Sequence, residues 1–169
     1  YCAENGRLQP FHHTHYPGFA MGGAGLVMVE QTSITRRGRI TNGDLGMWED
    51  GQIEGMRALA SHVKAYGAKI GIQLNHGGRK SAMQRAFRGN GPLTERDLAA
   101  GEEIWTPLAP SALPLGEGWQ MPEEITAGQL DGLRDAWVAA ARRAVLAGFD
   151  LIEIHMAHGY LLQNFLSPL

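Results

Sequence analysis

Short apolar runs alternate along the chain with segments whose apolar residues recur at helical spacing. The apolar runs predict strands over residues 24–30 (AGLVMVE), 69–74 (KIGIQL) and 149–155 (FDLIEIH). The helical spacing predicts helices over residues 10–21, 50–66 and 126–147. A glycine follows each helix and is expected to end it. Strands that alternate with helices in this way are typical of parallel βαβ units in an α/β fold.

The helices predicted over residues 50–66 and 126–147 are amphipathic, because each carries a single apolar stripe. On the second helix this stripe comprises Ile53, Met56, Leu59, Ala60 and Val63. The third helix begins at Thr126, which has capping-box spacing to Gln129. Its stripe, which we expect to be buried, comprises Leu130, Leu133, Trp137, Val138, Ala141 and Val145.

The two faces of the predicted strands differ in chemistry. Successive strand side chains point to opposite faces, so the aliphatic residues at 70, 72 and 74 share one face and Gln73 takes the other. In the last strand, Glu153 and His155 share the face opposite to the isoleucines at 152 and 154. The aliphatic face should pack on helices. The face with Gln73, Glu153 and His155 should line the interior of a barrel, with Gln73 and His155 near its carboxyl-end mouth.

The predicted fold class is therefore a TIM (β/α)8 barrel, of which this chain is roughly the first half. A complete barrel takes roughly 250 residues and eight strands. Residues 1–169 should thus be a partial domain with strands 2 to 4, without the first strand and the C-terminal half. The Gly- and Pro-rich segment 75–125 is expected to be a long loop after strand 3 that covers the active face. A doubly wound open sheet is the rival, but no G-x-G-x-x-G turn follows any strand.

Composition and charge narrow the range of partners. The chain has 15 Lys and Arg against 17 Asp and Glu, a net charge of −2. This balance, without a basic stripe, argues against nucleic acid as a partner. No apolar run reaches the roughly 20 residues that span a bilayer, so no membrane segment is predicted. The single cysteine, Cys2, suits a reducing compartment and predicts a cytoplasmic location.

Chemistry is expected where the last strand ends. His155, His158 and Tyr160 follow this apolar strand closely, and active sites of barrels lie at the carboxyl ends of their strands. One hypothesis is a metal-dependent hydrolase, in which the His-x-x-His pair and further ligands such as Glu153 hold Zn²⁺ or Fe²⁺. Another is a non-catalytic half-barrel that works only with a partner half. The histidines at 12, 13 and 15 are not expected to bind a metal, because no carboxylate or thiol accompanies them at ligand spacing.

Several segments in a collinear order carry a resemblance to a known family. They are YCAENGRLQPFHHTHY, GGAGLVMVEQTSITRRGRI, KIGIQLNHGGRK, TPLAPSAL and AGFDLIEIHMAHGYLLQNFLSPL. In this order and spacing they resemble the Old Yellow Enzyme family of flavin-dependent ene-reductases, and the subgroup is similar to bacterial NADPH dehydrogenases.

The resemblance implies a TIM barrel that binds FMN at its carboxyl end. It also implies hydride transfer from NADPH, or NADH, to the activated C=C bond of a small-molecule α,β-unsaturated carbonyl or nitro compound. Relatives range from monomers to tetramers, so a homo-oligomer is an open alternative for the full-length protein. Because the family's FMN phosphate site lies in late loops, this chain alone should bind FMN weakly or not at all and should be inactive.

The resemblance assigns substrate roles to four residues of this chain. His155 and His158 match the pair that hydrogen-bonds the carbonyl or nitro oxygen of the substrate, where N–H donors stabilise developing charge. Tyr160 matches the residue that delivers a proton to the α-carbon, a role open to a phenol that stays protonated at neutral pH. Tyr1 matches a tyrosine that lines the substrate pocket.

Two glutamines are expected at the cofactor. Gln73 matches a family glutamine that hydrogen-bonds the pyrimidine edge of the flavin, for which an amide supplies both donor and acceptor. Gln31 is predicted to follow the first strand, where relatives often have alanine, and a backbone contact to the cofactor is expected there. His76, Arg79 and Lys80 are interpreted as solvated residues that order their loop, with a contact to phosphate or to the nicotinamide nucleotide as the alternative.

Overall fold

Residues 1–168 are described by the structure, which is a computed structural model. The helices are α1 (Pro10–Met21), α2 (Ile53–Ala65), α3 (Glu95–Ala99), α4 (Ala127–Leu146) and α5 (Leu161–Leu166). The strands are β1 (Leu26–Ser33), β2 (Leu45–Gly46), β3 (Lys69–Asn75), β4 (Leu108–Ala109), β5 (Glu123–Glu124) and β6 (Leu151–Ile154). The longer elements lie where the hydrophobic pattern predicts them.

One parallel sheet organises the chain. Its strand order is β2-β1-β3-β6, and each neighbouring pair is parallel. Helix α2 lies between β1 and β3 in the chain, and α4 lies between β3 and β6, so helices make the crossovers that parallel strands require. The predicted parallel βαβ units are thus confirmed. Strands β4 and β5 form a separate short parallel pair.

The ends of two strands differ from the prediction. The ladder between β1 and β3 continues as far as Ser33, opposite Asn75. Gln31 therefore lies inside β1, and its predicted place after the strand is wrong. Hydrophobicity misplaced this boundary because residues 31–33 are polar, yet they still pair with β3. At the other end of the chain β6 stops at Ile154, and His155 follows it directly.

The aliphatic face of β3 packs against helices, as its alternation predicts. Ile70, Ile72 and Leu74 are buried in one cluster with Met56 and Leu59 of α2. Burial of an aliphatic side chain of this size contributes about 1.5–3 kcal/mol. Because the helices cover the aliphatic face of β3, the opposite face of this strand can carry polar side chains.

Helix α4 begins as its cap predicts. The Gln129 N–H donates to Thr126 Oγ1 at 3.3 Å, and the Thr126 N–H donates to Gln129 Oε1 at 2.8 Å. These reciprocal bonds complete the capping box and satisfy donors at the helix start.

The prediction of which residues of α4 are buried is partly wrong. Leu133 is buried, but Leu130, Val138 and Val145 are exposed. Ala140 and Ala144 are fully buried in the core instead. Their small side chains allow α4 to lie close to the layer below it, so the inward face is set by close approach rather than by side-chain size.

The segment 75–125 is predicted as a long loop, and it contains α3, β4 and β5 within mostly irregular structure. Two arginines that follow β1 anchor it. Arg37 Nε donates to the Thr106 carbonyl oxygen at 2.7 Å. The buried Arg39 pairs with Glu103 at 2.8 Å, and its guanidinium lies 4.4 Å from the Trp105 ring centroid. These contacts hold the segment against the loop at the carboxyl end of β1.

The residues after Tyr160 form the short helix α5, which docks on the loop after β3. The Leu161 N–H donates to the His76 carbonyl oxygen at 3.0 Å. Leu169, the last residue of the terminal motif, lies outside the described residues. Among residues 1–168, no helix has the length and apolar character needed to cross a membrane.

Candidate active site

A β-bulge in β1 turns Gln31 toward the face of the sheet that carries Gln73. Val29 pairs with Ile72, and the next pair is Gln31 with Gln73. Glu30 is therefore an extra residue in β1, and the side chains after it face the side opposite to the one that regular alternation would give. Since paired residues of parallel strands point to the same face, the two glutamines share the interior face.

A polar row crosses this interior face. Gln73 pairs in register with Glu153 of β6, and its amide nitrogen donates to the Glu153 carboxylate. Closer to the carboxyl end, Asn75 Nδ2 donates to Gln31 Oε1 at 3.2 Å. Asn75 Oδ1 is buried and finds no hydrogen-bond partner among the described residues. Because a primary amide offers two N–H bonds and one carbonyl oxygen, Gln73 and Asn75 can still bind a polar ligand.

His155, His158 and Tyr160 meet just beyond the end of β6. The ring centroids of His155 and Tyr160 are 4.7 Å apart, and those of the two histidines are 5.0 Å apart. The chain forms this cluster through two successive left-handed residues, His158 with φ +57° and Gly159 with φ +77°. A non-glycine residue in this region costs roughly 1–2 kcal/mol. Backbone strain of this kind concentrates at functional sites.

Hydrogen bonds around the histidine pair assign the imidazole protons. The Ala157 N–H donates to His155 Nδ1 at 3.2 Å. A neutral His155 therefore carries its proton on Nε2 and donates it to His158 Nδ1, also at 3.2 Å. Burial lowers the pKa of His155, and the neighbouring His158 lowers it further, whereas the Glu153 charge opposes both. When both rings are neutral, one of the two facing nitrogens is a donor and the other an acceptor.

Two phenols line a cavity beside this cluster. The cavity has a volume of about 380 Å³, and its walls include Tyr1, Tyr160, Lys80 and Trp119. Burial raises the pKa of Tyr160, and the Asp44 charge raises it further. Burial also raises the pKa of Tyr1 to about 12, with smaller contributions from Tyr160 and Asp44. Both phenols are consequently protonated at neutral pH.

Asp44 belongs to this site but was not predicted as a site residue. This fully buried carboxylate accepts hydrogen bonds from the Ile40 N–H at 2.5 Å and from Thr41 Oγ1 at 2.9 Å. Burial raises its pKa to about 6, although these hydrogen bonds oppose the shift. Ile40 and Thr41 line the same cavity as the two tyrosines. Asp44 thus fixes one wall of the cavity, and only the turn signature Asn-Gly-Asp marked this position in the sequence.

The loop after β3 is less exposed to solvent than predicted from the sequence. His76 is 1% exposed, and burial followed by the Arg37 charge lowers its pKa to about 4. The prediction of a solvated His76 is therefore wrong, because α5 and Gly38 pack around it. Lys80 does order structure, since its Nζ donates to the His158 carbonyl oxygen at 2.6 Å.

Residues 1–168 contain no set of ligands for the hypothesis of a metal-dependent hydrolase. No group of three or more His, Cys, Asp or Glu side chains in this part of the chain has a geometry that could hold a metal ion. His12, in the first histidine cluster, is buried and accepts a hydrogen bond from the Gln9 N–H at 2.8 Å. His15 stacks on Phe11 with ring centroids 4.8 Å apart. These two histidines have structural contacts.

The parallel sheet, with polar side chains gathered at the carboxyl ends of its strands, has the arrangement of one part of a TIM-barrel enzyme. The chain belongs to the NADH:flavin oxidoreductase / NADH oxidase family, whose sequence model matches residues 1–169. It is 46% identical over 166 residues to an NADPH dehydrogenase of Geobacillus sp., covering 98% of this chain and 43% of that protein. It is 45% identical over 170 residues to an NADPH dehydrogenase of Clostridium acetobutylicum, covering 100% of this chain and 44% of that one.

Solved structures agree with the family. Morphinone reductase superposes with a TM-score of 0.78 at 26% identity, over 98% of this chain and 44% of its own. An old yellow enzyme homologue from Zymomonas mobilis superposes with a TM-score of 0.73 at 25% identity, over 95% of this chain and 42% of its own. The chain spans less than half the length of these relatives. The predicted half-barrel is confirmed, as are FMN and a nicotinamide nucleotide as cofactors of the family.

Proposed function

We propose that the full-length protein is an FMN-dependent ene-reductase, which transfers hydride from NADPH or NADH to the activated C=C bond of small α,β-unsaturated carbonyl or nitro compounds. Residues 1–169 would form the N-terminal part of its barrel domain. The main support is the meeting of His155 Nε2 and His158 Nδ1, 3.2 Å apart, beside the half-buried phenol of Tyr160. The single cysteine of this chain, Cys2, supports a reducing, cytoplasmic location as part of the same proposal.

The interior polar row fits a flavin. Gln73 and Asn75 offer amide groups with unused hydrogen-bonding capacity, and the buried Asn75 Oδ1 is an acceptor that needs a donor. In this proposal Gln73 binds the pyrimidine edge, and Gln31 lies beside the cofactor through the bulge. FMN, when bound, supplies hydride from the reduced nicotinamide to the β-carbon of the alkene.

The histidine pair binds the substrate oxygen in this proposal. An oxygen placed between His155 Nε2 and His158 Nδ1 needs a donor from each ring. His155 already carries its proton on Nε2, but His158 has to move its proton from Nε2 to Nδ1. Substrate binding therefore couples to a tautomer change in His158. Both donors then stabilise the negative charge on the oxygen, and each well-placed donor is worth about 3 kcal/mol in the transition state.

Tyr160 donates the proton that completes the reduction. Its O–H bond breaks as a C–H bond forms at the α-carbon, and the electron pair stays on the phenolate oxygen, which recovers a proton from solvent. Burial and Asp44 raise the pKa of Tyr160. The phenol therefore remains protonated until a strongly basic enolate carbon forms next to it.

The proposal is tested with the purified full-length protein, by its flavin absorption spectrum and by NADPH consumption with 2-cyclohexenone and a nitroalkene. His155→Ala and His158→Ala should each lower kcat/KM roughly 100-fold or more, because each removes one donor. His62→Ala, on the exposed side of α2, is the matched control and should leave kcat/KM unchanged. A protein that stays colourless with added FMN, or that consumes no NADPH with either alkene, would refute the proposal.

A further inference from the structure

Lys80 reaches from the loop after β3 to the turn that carries His158. It ends the single-turn 3-10 helix Gly78–Lys80. Its ammonium nitrogen donates to the His158 carbonyl oxygen at 2.6 Å and lies 5.9 Å from the centroid of the Tyr160 ring. A hydrogen bond with a charged donor is short and strong. One side chain from the loop after β3 thus lies against two of the three clustered residues after β6.

The turn that Lys80 contacts cannot maintain its shape unaided. His158 and Gly159 are both left-handed, and such backbone persists only where its surroundings hold it. Two side chains hydrogen-bond to its carbonyl groups: Lys80 binds the oxygen of His158, and Asn164 Nδ2 binds that of Gly159 at 3.0 Å. Asn164 belongs to α5, which directly follows the turn. Lys80 instead ties the turn to the loop after the neighbouring strand β3.

We propose that Lys80 is a positioning residue whose ammonium holds this left-handed turn, so that His158 Nδ1 stays opposite His155 Nε2. The catalytic role of Lys80 rests on the proposed function, but its hydrogen bond to the His158 carbonyl oxygen does not. Without the ammonium, the His158 carbonyl is free to rotate and the His158 ring leaves the position 3.2 Å from His155. The bound substrate then loses one of its two donors. Because that donor acts mainly in the transition state, kcat falls more than KM rises.

The first test compares variants of the full-length holoenzyme with 2-cyclohexenone and NADPH. Lys80→Met keeps an unbranched side chain that lacks only the terminal ammonium, and should lower kcat about 10- to 100-fold, the range of one charge-assisted hydrogen bond. Lys69→Met is the matched control, because Lys69 lies at the far end of β3 with its side chain 73% exposed. It should leave kcat unchanged. An unchanged kcat in Lys80→Met would overturn the inference.

A double-mutant cycle separates positioning from a general loss of stability. If Lys80 acts through His158, then Lys80→Met should change kcat less than about twofold in a His158→Ala background. Multiplicative losses would overturn the inference. A second measurement needs no turnover: the imidazole ¹⁵N shifts report the hydrogen bond between His155 and His158, and Lys80→Met should abolish that bond. Thus an inactive wild type would refute the proposed function, whereas an unchanged ¹⁵N spectrum in Lys80→Met would refute the positioning role alone.

Chemical rescue shows whether the ammonium itself is needed. Alkylation of Lys80→Cys with 2-bromoethylamine restores an ammonium on a side chain of the same length and should recover kcat to within about threefold. Alkylation with iodoacetamide adds a neutral amide of about the same length and should recover much less. Wild type treated in the same way controls for reaction at Cys2. Equal recovery with both reagents would show that bulk rather than charge holds the turn.

Discussion

His76 and Asp44 should give the protein two opposing responses to pH. Both are buried, with exposed fractions of 1% and 0%. Burial, followed by the Arg37 charge, lowers the pKa of His76 to about 4 from an ordinary value of 6.5. Burial raises the pKa of Asp44 to about 6 from 3.8. Replacing either one should therefore change how the free energy of unfolding depends on pH.

The direction of each response follows from linkage. Between pH 6.5 and about 4 the unfolded state protonates His76 before the folded state does, so stability falls as pH falls. For Asp44 the folded state takes the proton first, so its penalty is present above pH 6 and disappears as pH falls toward 3.8. Between pH 7 and pH 5, the free energy of unfolding should fall by about 2 kcal/mol because of His76 and rise by about 1 kcal/mol because of Asp44.

Urea unfolding of the full-length protein at pH 7 and pH 5 measures these responses in wild type, His76→Gln and Asp44→Asn. On going from pH 7 to pH 5, the free energy of unfolding of His76→Gln should change by about 2 kcal/mol more favourably than that of wild type. The free energy of unfolding of Asp44→Asn should change by about 1 kcal/mol less favourably than that of wild type. Each variant is compared only with itself at the two pH values, so a packing cost that does not depend on pH cancels. The reasoning is wrong if either variant keeps the wild-type response or if both shift in the same direction.

Three further perturbations test the site and the fold. Tyr160→Phe removes the proposed proton donor and should lower kcat with 2-cyclohexenone about 100-fold, while stopped-flow reduction of the flavin by NADPH stays unchanged; undiminished turnover would assign the proton to water. Gly159→Ala adds a Cβ 3.1 Å from Lys80 Cε at φ +77°. It should lower both Tm and kcat, whereas Gly101→Ala, at φ +90° with open space around it, should lower Tm alone. Thr126→Ala removes the cap of α4 and should cost about 1 kcal/mol in urea unfolding; an unchanged midpoint would contradict the cap.

The fold was predictable because short-range patterns determine it. The alternation of Ile70, Ile72 and Leu74 with Gly71 and Gln73 specifies a strand with two different faces, and the structure buries the aliphatic face against α2. Helix starts were equally readable where a side chain and the backbone satisfy each other, as in the cap of α4. Such signals need no knowledge of the partner elements.

The inward face of α4 was not predictable in this way. Leu130 and Val138 were expected in the core because they are apolar, yet they line an apolar groove with Ile154 and Phe165. Ala140 and Ala144 lie in the core. An amphipathic helix has several apolar residues near the edge of its stripe, and only the shape of the neighbouring layer decides which of them turn inward.

The site depends on two departures from regular geometry, and periodicity conceals both. If β1 continued past Glu30 without the bulge, Gln31 would share the face of Val29 and point toward the helices rather than lie beside Gln73. Without a left-handed residue at His158, the turn would not return its ring to His155. Both departures lie toward the carboxyl ends of strands, where side chains must converge on a ligand instead of packing in layers. Periodicity can therefore locate this end of the sheet, but the partners within it follow from the bulge and the turn.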